Sequence, residues 1–462
     1  MAVTLVWFRD DLRISDNPAL VAAAESGDDV VACYVLDEET EGIRPLGGAS
    51  KWWLHHSLEA LAGSLAELGI SLVLRKGPAE VVLPHLVDES GAHAVVWNRR
   101  YGLAERTIDA ALKATFGDQG IEATSYQANL MYEPWEVTAG SGEAYKVFTP
   151  FWRACLVLRT PRRPLAAPEA LHGPPLDSEA LDAWHLLPTT PDWAQGLRET
   201  WVPGEAGAHA RLDDFLDDAA HGYKDNRDRP ALQGTSMLSP HLRFGEISPF
   251  EVWHAAQDHK DPSTAEDIRV FGSELGWREF SWQLLYFNPE LATVNYRPSF
   301  DGFAWERSTR DELTAWQRGR TGYPLIDAGM RQLWEIGWMH NRVRMATASF
   351  LIKNLMIDWR VGEKFFWDCL VDADAASNAA SWQWVAGSGA DASPYFRIFN
   401  PVLQSKKFDP DGAYLLRFVP ELAEAENLHE PWKGSAPEYS PPIVDLKESR
   451  ERALSAYKAL SD

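Results

Sequence analysis

For about its first 130 residues the chain alternates between short apolar runs and longer stretches with helical spacing, and afterwards it reads as helix almost throughout. Residues 3–8, 30–36, 71–74, 94–97 and 122–126 have the length and mostly apolar content of buried parallel strands. Between them, 18–25, 51–68, 79–88 and 105–116 carry helical spacing, with Asp16 or Asn17 placed to cap the first and Pro18 in its first turn. Alternation of this kind specifies an α/β domain around a parallel, Rossmann-like sheet. No GxGxxG or GxxxxGK[ST] motif lies on it, which argues against a dinucleotide or triphosphate on the first strand–helix turn. Residues 161–204 hold eight of the 29 prolines and little periodicity, as a surface connector does. The expected order is an α/β domain over 1–130, a linker over 131–206 and an all-α domain over 207–462.

Composition bounds the function. No apolar run approaches the roughly 20 residues needed to span a bilayer, and the N-terminus lacks the basic lead of a secretory signal. Cys33, Cys155 and Cys369 are few, odd in number and far apart, which points to a reducing, cytoplasmic setting without a disulfide frame or a cysteine-based zinc site. The formal net charge is -23, a poor omen for binding nucleic acid, yet residues 331–410 hold nine Lys/Arg against eight Asp/Glu. A near-neutral segment in an acidic chain leaves room for a local basic patch, whose DNA affinity would depend steeply on salt. The 21 tryptophans are many for this length, and most are expected to pack core.

Four segments of the helical half carry chemistry-bearing residues. Gly337 to Met345 opens an expected helix running to about Trp359, with Trp338, Asn341 and Met345 on one face, a stripe suited to a flat heteroaromatic ligand. Glu274, Trp277 and Arg278 share a face of a second helix, where a carboxyl buried beside a ring would have a raised pKa. Asp372 and Asp374 lie among small residues ahead of Asn378, Trp382 and Trp384. No His or Cys stands near them to complete a zinc set, and the calcium-loop pattern fails, so no metal is expected. Thr235, Ser236, Met237, Leu238 and Ser239 precede a helix and could cradle phosphate through backbone N–H groups. Each has a plain alternative: core faces, a solvated ion pair, an ordinary Ser/Thr cap.

Together with the opening Trp7-Phe8-Arg9-Asp10-Asp11-Leu12-Arg13 and residues 321–333, these segments resemble the photolyase–cryptochrome family over almost the whole chain and in the right order. The resemblance implies an N-terminal antenna domain and a helical domain holding a U-shaped FAD, reduced in its active form. It implies that Tyr223 and residues 235–239 hold the phosphate region, that Arg278 reaches the cofactor, and that Arg344, Asp372 and Asp374 lie by the flavin with Asn378 facing N5. Glu274, Trp277, Asn341, Met345 and Trp384 match the residues that receive a flipped cyclobutane pyrimidine dimer, and His340-Asn341-Arg342 differs from the His-His stretch typical of (6-4) photolyases. Trp382, Trp359 and Trp305 match the tryptophan chain that photoreduces FAD. Arg227, Arg229, Arg342, Arg397, Lys406 and Lys407 are candidate phosphate contacts on UV-damaged DNA.

The implied reaction is light-driven dimer repair by electron transfer from excited reduced FAD, with return of the electron. Residues 48–57 resemble the bacterial branch near plant cryptochromes, which favours methenyltetrahydrofolate as antenna over 8-hydroxydeazaflavin. Phe271 replaces a tryptophan common in close relatives. A monomer without membrane association is expected. The rival readings are a blue-light receptor of cryptochrome type, disfavoured by Asn378 and by the absence of a long tail after the helical domain, and a plain flavin electron carrier.

Overall fold

The computed structural model describes residues 2–140, 142–306, 310–392, 396–436 and 438–460. Five strands, β1 (Val3–Phe8), β2 (Asp29–Leu36), β3 (Leu72–Lys76), β4 (Ala94–Asn98) and β5 (Glu122–Tyr126), form one parallel sheet in the order β3-β2-β1-β4-β5. Helices α1 (Pro18–Glu25), α2 (Gly48–Leu68), α3 (Ala79–Ser90) and α4 (Leu103–Asp118) make the crossovers. Asn17 caps α1, its side chain accepting from Leu20 N at 3.1 Å, and Pro18 stands in the first turn. β1 is buried at every position, as a central strand covered on both faces must be. The strand order reverses between β1 and β4, and Asp10 and Arg99 to Tyr101, just beyond those two strands, face the helical half. In an open α/β sheet that reversal is where a crevice forms.

The helical half packs directly on this sheet domain. Arg13 Nη1 donates to Gly245 O at 2.9 Å, Trp53 Nε1 donates to Glu246 Oε1 at 2.9 Å, and a Cβ at Gly245 would collide with the Asp10 carbonyl. Trp7, Trp52, Trp53, Trp97, Trp316 and Trp359 are among the largest fully buried side chains, so much of the tryptophan excess is core. No helix among the described residues is long and apolar enough to cross a membrane.

Two details differ from the expectation. Within 131–206 the chain is not only connector: Phe148–Leu158 is a helix that packs on the long Ala265–Phe287 helix through Phe148, Phe151 and Trp152. The stretch from Gly337 to Trp359 is not one helix. Gly337, at φ 66, ends the Pro324–Ile336 helix; His340 caps Asn341–Ser349; a π turn follows over Phe350–Asn354. Asp358 then caps a separate helix, Trp359–Cys369. Trp338 therefore lies in the turn ahead of the helix that carries Asn341 and Met345, and meets the site from another direction.

One buried acid has a measurable consequence. Glu279 is 3% exposed, its Oε2 accepts from Tyr132 N at 3.1 Å, and its Oε1 has no hydrogen-bond partner. Burial pushes its carboxyl up to about 7 against the pull of Arg278. Between the unfolded value and that one, the native state holds a proton the unfolded chain has released, so stability falls as pH rises through the window. Glu279→Gln is expected to remove up to about 3 kcal/mol of this loss between about pH 5 and pH 8. Melting temperatures of the two proteins across that range check it.

Candidate functional site

Three elements meet at Asp372. Arg344 grips it with both guanidinium nitrogens, at 3.1 and 2.7 Å, and also donates from Nε to Met339 O at 2.6 Å. Ser239 Oγ donates to Asp372 Oδ2 at 2.6 Å and accepts from Trp338 Nε1 at 3.2 Å. Asp372 and Trp338 are each 8% exposed, yet Ser239 between them is exposed, so its hydroxyl is fixed at the lip of an opening and not in a sealed core. Just before it, Met237 has φ 50 while Leu238 is right-handed, an alternation that turns successive N–H groups to one side and favours an anion. Thr235, Ser236 and Met237 are half-buried, and Tyr223 is buried against Phe215 and Phe271 at ring-centroid distances of 5.5 Å each. Phe271 thus serves as packing behind Tyr223. A cationic guanidinium, hydroxyls and a left-handed turn at one opening form a donor set that fits a dinucleotide bearing phosphates and a flat ring.

Asn378 is buried in the helix Ser377–Ala386, and its Nδ2 donates to Glu363 O at 3.1 Å and Glu363 Oε1 at 2.8 Å. Both bonds consume the amide N–H groups, which leaves Oδ1 as the atom for an outside donor. Glu363 is itself held by Arg44 from the sheet domain, at 2.6 and 2.9 Å. Asp374 faces inward differently: its Oδ1 accepts from Ala376 N and Ser377 N, at 2.9 and 2.6 Å, fixing the start of that helix.

On the second wall, Trp277 stacks on Phe148 at 3.8 Å with 9° between the rings. Trp384 is half-buried, and its Nε1 donates to Asp391 O at 3.1 Å, which orients the indole. Asn341 is exposed at the start of its helix and Met345 is half-buried one turn on. Glu274 forms an ion pair with Arg227; burial raises its carboxyl while Arg227 pulls it back. His340 holds the helix cap through Nδ1, accepting from Arg342 N at 3.2 Å, and burial drives its pKa down to about 4, so it is a neutral ring at ordinary pH.

Trp382 and Trp359 are buried and Trp305 is half-buried, its ring 4.4 Å from Phe303. A Cβ at Gly362 would fall inside the Trp382 ring, so that glycine makes room for the indole. The six cations assigned to DNA do not all stand free. Arg342 pairs with Asp228 at 2.7 Å and lies over Phe408 at 4.5 Å; Lys406 pairs with Glu430 at 2.5 Å; Lys407 lies over Phe408 at 4.9 Å. Arg229 and Arg397 are exposed.

Arg278 points into the crevice between the two halves, donating to Asn129 O at 2.6 Å. That crevice, about 370 Å³ including its open mouth, gathers Arg99, Arg100, Arg243 and Arg278 around Asp10 and Asp374, with Tyr101 and Trp282 as aromatic walls. Arg243 bridges it, pairing with Asp10 at 2.8 Å and donating to Ala373 O at 2.9 Å.

Glu363, Phe148, Asp391 and Arg243 escaped the sequence reading. Phe148 and Arg243 act through partners more than a hundred residues away, Glu363 and Asp391 through nearer ones on a neighbouring element, and only the aromatic pair Phe148 and Phe151, one turn apart, left a local trace in the sequence.

Family models match most of the chain: one described as DNA photolyase over residues 4–169, and one described as the FAD binding domain of DNA photolyase over residues 271–459. A deoxyribodipyrimidine photo-lyase of Agrobacterium fabrum is 52% identical, with 99% of this chain and 98% of that protein covered. Cryptochrome-1 of Arabidopsis thaliana is 36% identical over 98% of this chain and 70% of its own length. The crystal structure of a bacterial class III photolyase from Agrobacterium tumefaciens superimposes with a TM-score of 0.96 at 51% identity, covering 100% of this chain and 98% of that one.

Proposed function

The chain belongs to the photolyase–cryptochrome family, and from that premise we propose that it is a deoxyribodipyrimidine photo-lyase that repairs cyclobutane pyrimidine dimers in UV-damaged DNA. Its cofactor is FAD. When bound, the reduced flavin supplies an electron under blue light; the protein's own work is placement and electrostatics. The observation that carries the assignment of residues is the meeting of Arg344, Asp372, Ser239 and Trp338 at one opening.

Residues 235–239 and Tyr223 would hold the phosphate region, with Arg344 and Asp372 against the ring system. Asn378, its N–H groups committed to Glu363, would offer Oδ1 as an acceptor toward a ring N–H of reduced flavin. Asp374 would act by fixing the loop. Trp277, backed by Phe148, and Trp384 would pack the two extruded pyrimidines, with Met345 filling the remaining wall. Glu274 and Asn341 would bond the polar edges, and Glu274 would stabilise charge developing on the dimer. Trp382, Trp359 and Trp305 would carry electrons from the surface to an oxidised flavin, their burial running from interior to edge. Arg229 and Arg397 are the rim cations best placed for phosphate, with Arg227, Arg342, Lys406 and Lys407 reaching it on release of their partners.

The antenna we assign to the crevice at the strand-order reversal, through Arg100 and Arg243, which suit an anionic aromatic chromophore; Arg278, expected on FAD, opens into this same crevice beside Asp374 and would reach the cofactor from there, and methenyltetrahydrofolate remains favoured over 8-hydroxydeazaflavin as antenna. We take residues 1–130 as the antenna domain, 131–206 as the linker and 207–462 as the catalytic domain, in a cytoplasmic monomer.

Reduced protein incubated with a dimer-bearing oligonucleotide under blue light should remove dimers over many turnovers; binding without repair would point to a receptor. Glu274→Ala should lower the repair yield about 10-fold or more with FAD still bound, the scale of losing one charge-stabilising contact. Loss of flavin from that variant would show that the division between lesion wall and cofactor wall is misplaced.

A further inference from the structure

Away from the flavin and lesion residues, α2 carries a compact set of metal-type donors. His55, His56 and Glu59 each offer one ligand-type atom, and these atoms lie within 4.8 Å of one another. His56 Nδ1 stands 2.8 Å from Glu59 Oε2, and His55 Nε2 stands 3.5 Å from Glu59 Oε1. The carboxylate sits between the imidazoles with one oxygen toward each. A second element comes near: Asp182, exposed on the short Leu181–Trp184 turn of the connector, places Oδ1 3.9 Å from His55 Nε2, within a side-chain rotation of the set.

Neighbouring ligands of a tetrahedral ion with bonds of about 2.0–2.1 Å stand roughly 3.3 Å apart. The 2.8 and 3.5 Å separations bracket that edge through different Glu59 oxygens, and the three ligand atoms lie within 4.8 Å overall, so the side chains need to turn by about an ångström to close on one ion. Two imidazoles with carboxylates suit Zn²⁺ and its neighbours Ni²⁺ and Cu²⁺, whereas Mg²⁺ and Ca²⁺ take oxygen ligands.

Three observations separate this set from an ordinary solvated ion pair. His55 is 3% exposed and turns its Nε2 toward the set, so the first imidazole is fixed by the core around it. His56 is braced edge-on against Trp52, with ring centroids 4.8 Å apart, so the second imidazole is held in place. Neither Glu59 nor Asp182 pairs with a lysine or arginine among the described residues; both turn to the histidines instead.

We infer that His55, His56 and Glu59 form a divalent-cation site of the zinc class, with Asp182 as fourth ligand, so that the ion clips the proline-rich connector to α2. The inference is independent of the flavin chemistry. The test uses the full-length, FAD-loaded protein, stripped with a chelator and titrated with ZnCl₂ in competition with a chromogenic chelator. The expected result is one equivalent bound with a Kd below about 10 μM, weakened at least about 10-fold in both H56Q and E59Q and less in D182N. Saturating Zn²⁺ should raise the melting temperature of the wild type by a few degrees, and the same concentration should raise that of E59Q by less. Dimer repair should be unchanged in both variants, and His55 is left intact because its ring is part of the core. A wild-type Kd above about 10 μM, or an affinity that either H56Q or E59Q leaves unchanged, overturns the site.

Discussion

Asp372→Ala is expected to yield a protein that purifies almost colourless and repairs nothing. The substitution removes a buried carboxylate that holds two Arg344 nitrogens and the Ser239 hydroxyl at once. Breaking a buried pair from one side typically costs about 3–5 kcal/mol, and the low end applies here because the Arg344 guanidinium left behind is only half-buried. Here the loss falls on the wall where the flavin would rest, so it should read out as cofactor release. One part of that cost expressed as affinity is already a hundredfold or so. The flavin-to-protein absorbance ratio after gel filtration measures it. A variant that keeps a full complement of FAD would mean that Asp372 braces the fold and does not border the cofactor.

Trp277→Ala is expected to separate the two halves of the site. Stacking a base on an aromatic ring is worth about 1–3 kcal/mol, or roughly 5- to 150-fold in affinity. Trp277 is one of two such surfaces and owes its orientation to Phe148 behind it at 3.8 Å. Binding of dimer-containing DNA should therefore fall by that factor, binding of undamaged DNA should scarcely change, and the flavin should stay. Phe148→Leu should reproduce a weaker form of the same loss, since it removes the support and not the surface. Equal loss on damaged and undamaged DNA would assign Trp277 to general backbone binding instead.

The sheet domain was legible because its signals are local. Strands β1 and β5 match the expected limits at both ends, and the α1 cap lies on Asn17, one of the two residues named for it. The misread stretch, 337–359, lacks the usual markers at its C-terminal break. No proline or glycine interrupts it after Gly337; the chain turns at Met356, with φ 56, and at caps supplied by His340 and Asp358. Those residues stop a helix only when tertiary packing supports the turn. The supports of the site were illegible for a related reason. Nothing near Asn378 in the sequence says that Glu363 fixes its amide, or that Arg44 from the other domain fixes Glu363. The approach of Asp182 to His55 was illegible for the same reason, since it lies in a connector more than a hundred residues away.

The Arg227–Glu274 pair ties acid strength to the arrival of a nucleic acid. Glu274 feels two opposing influences, the apolar surroundings that favour its neutral form and the guanidinium that favours its anion. A phosphodiester that recruits Arg227 removes the second influence and leaves the first. Docking of the strand would thereby raise the Glu274 carboxyl further, toward the neutral form that can donate to a pyrimidine carbonyl.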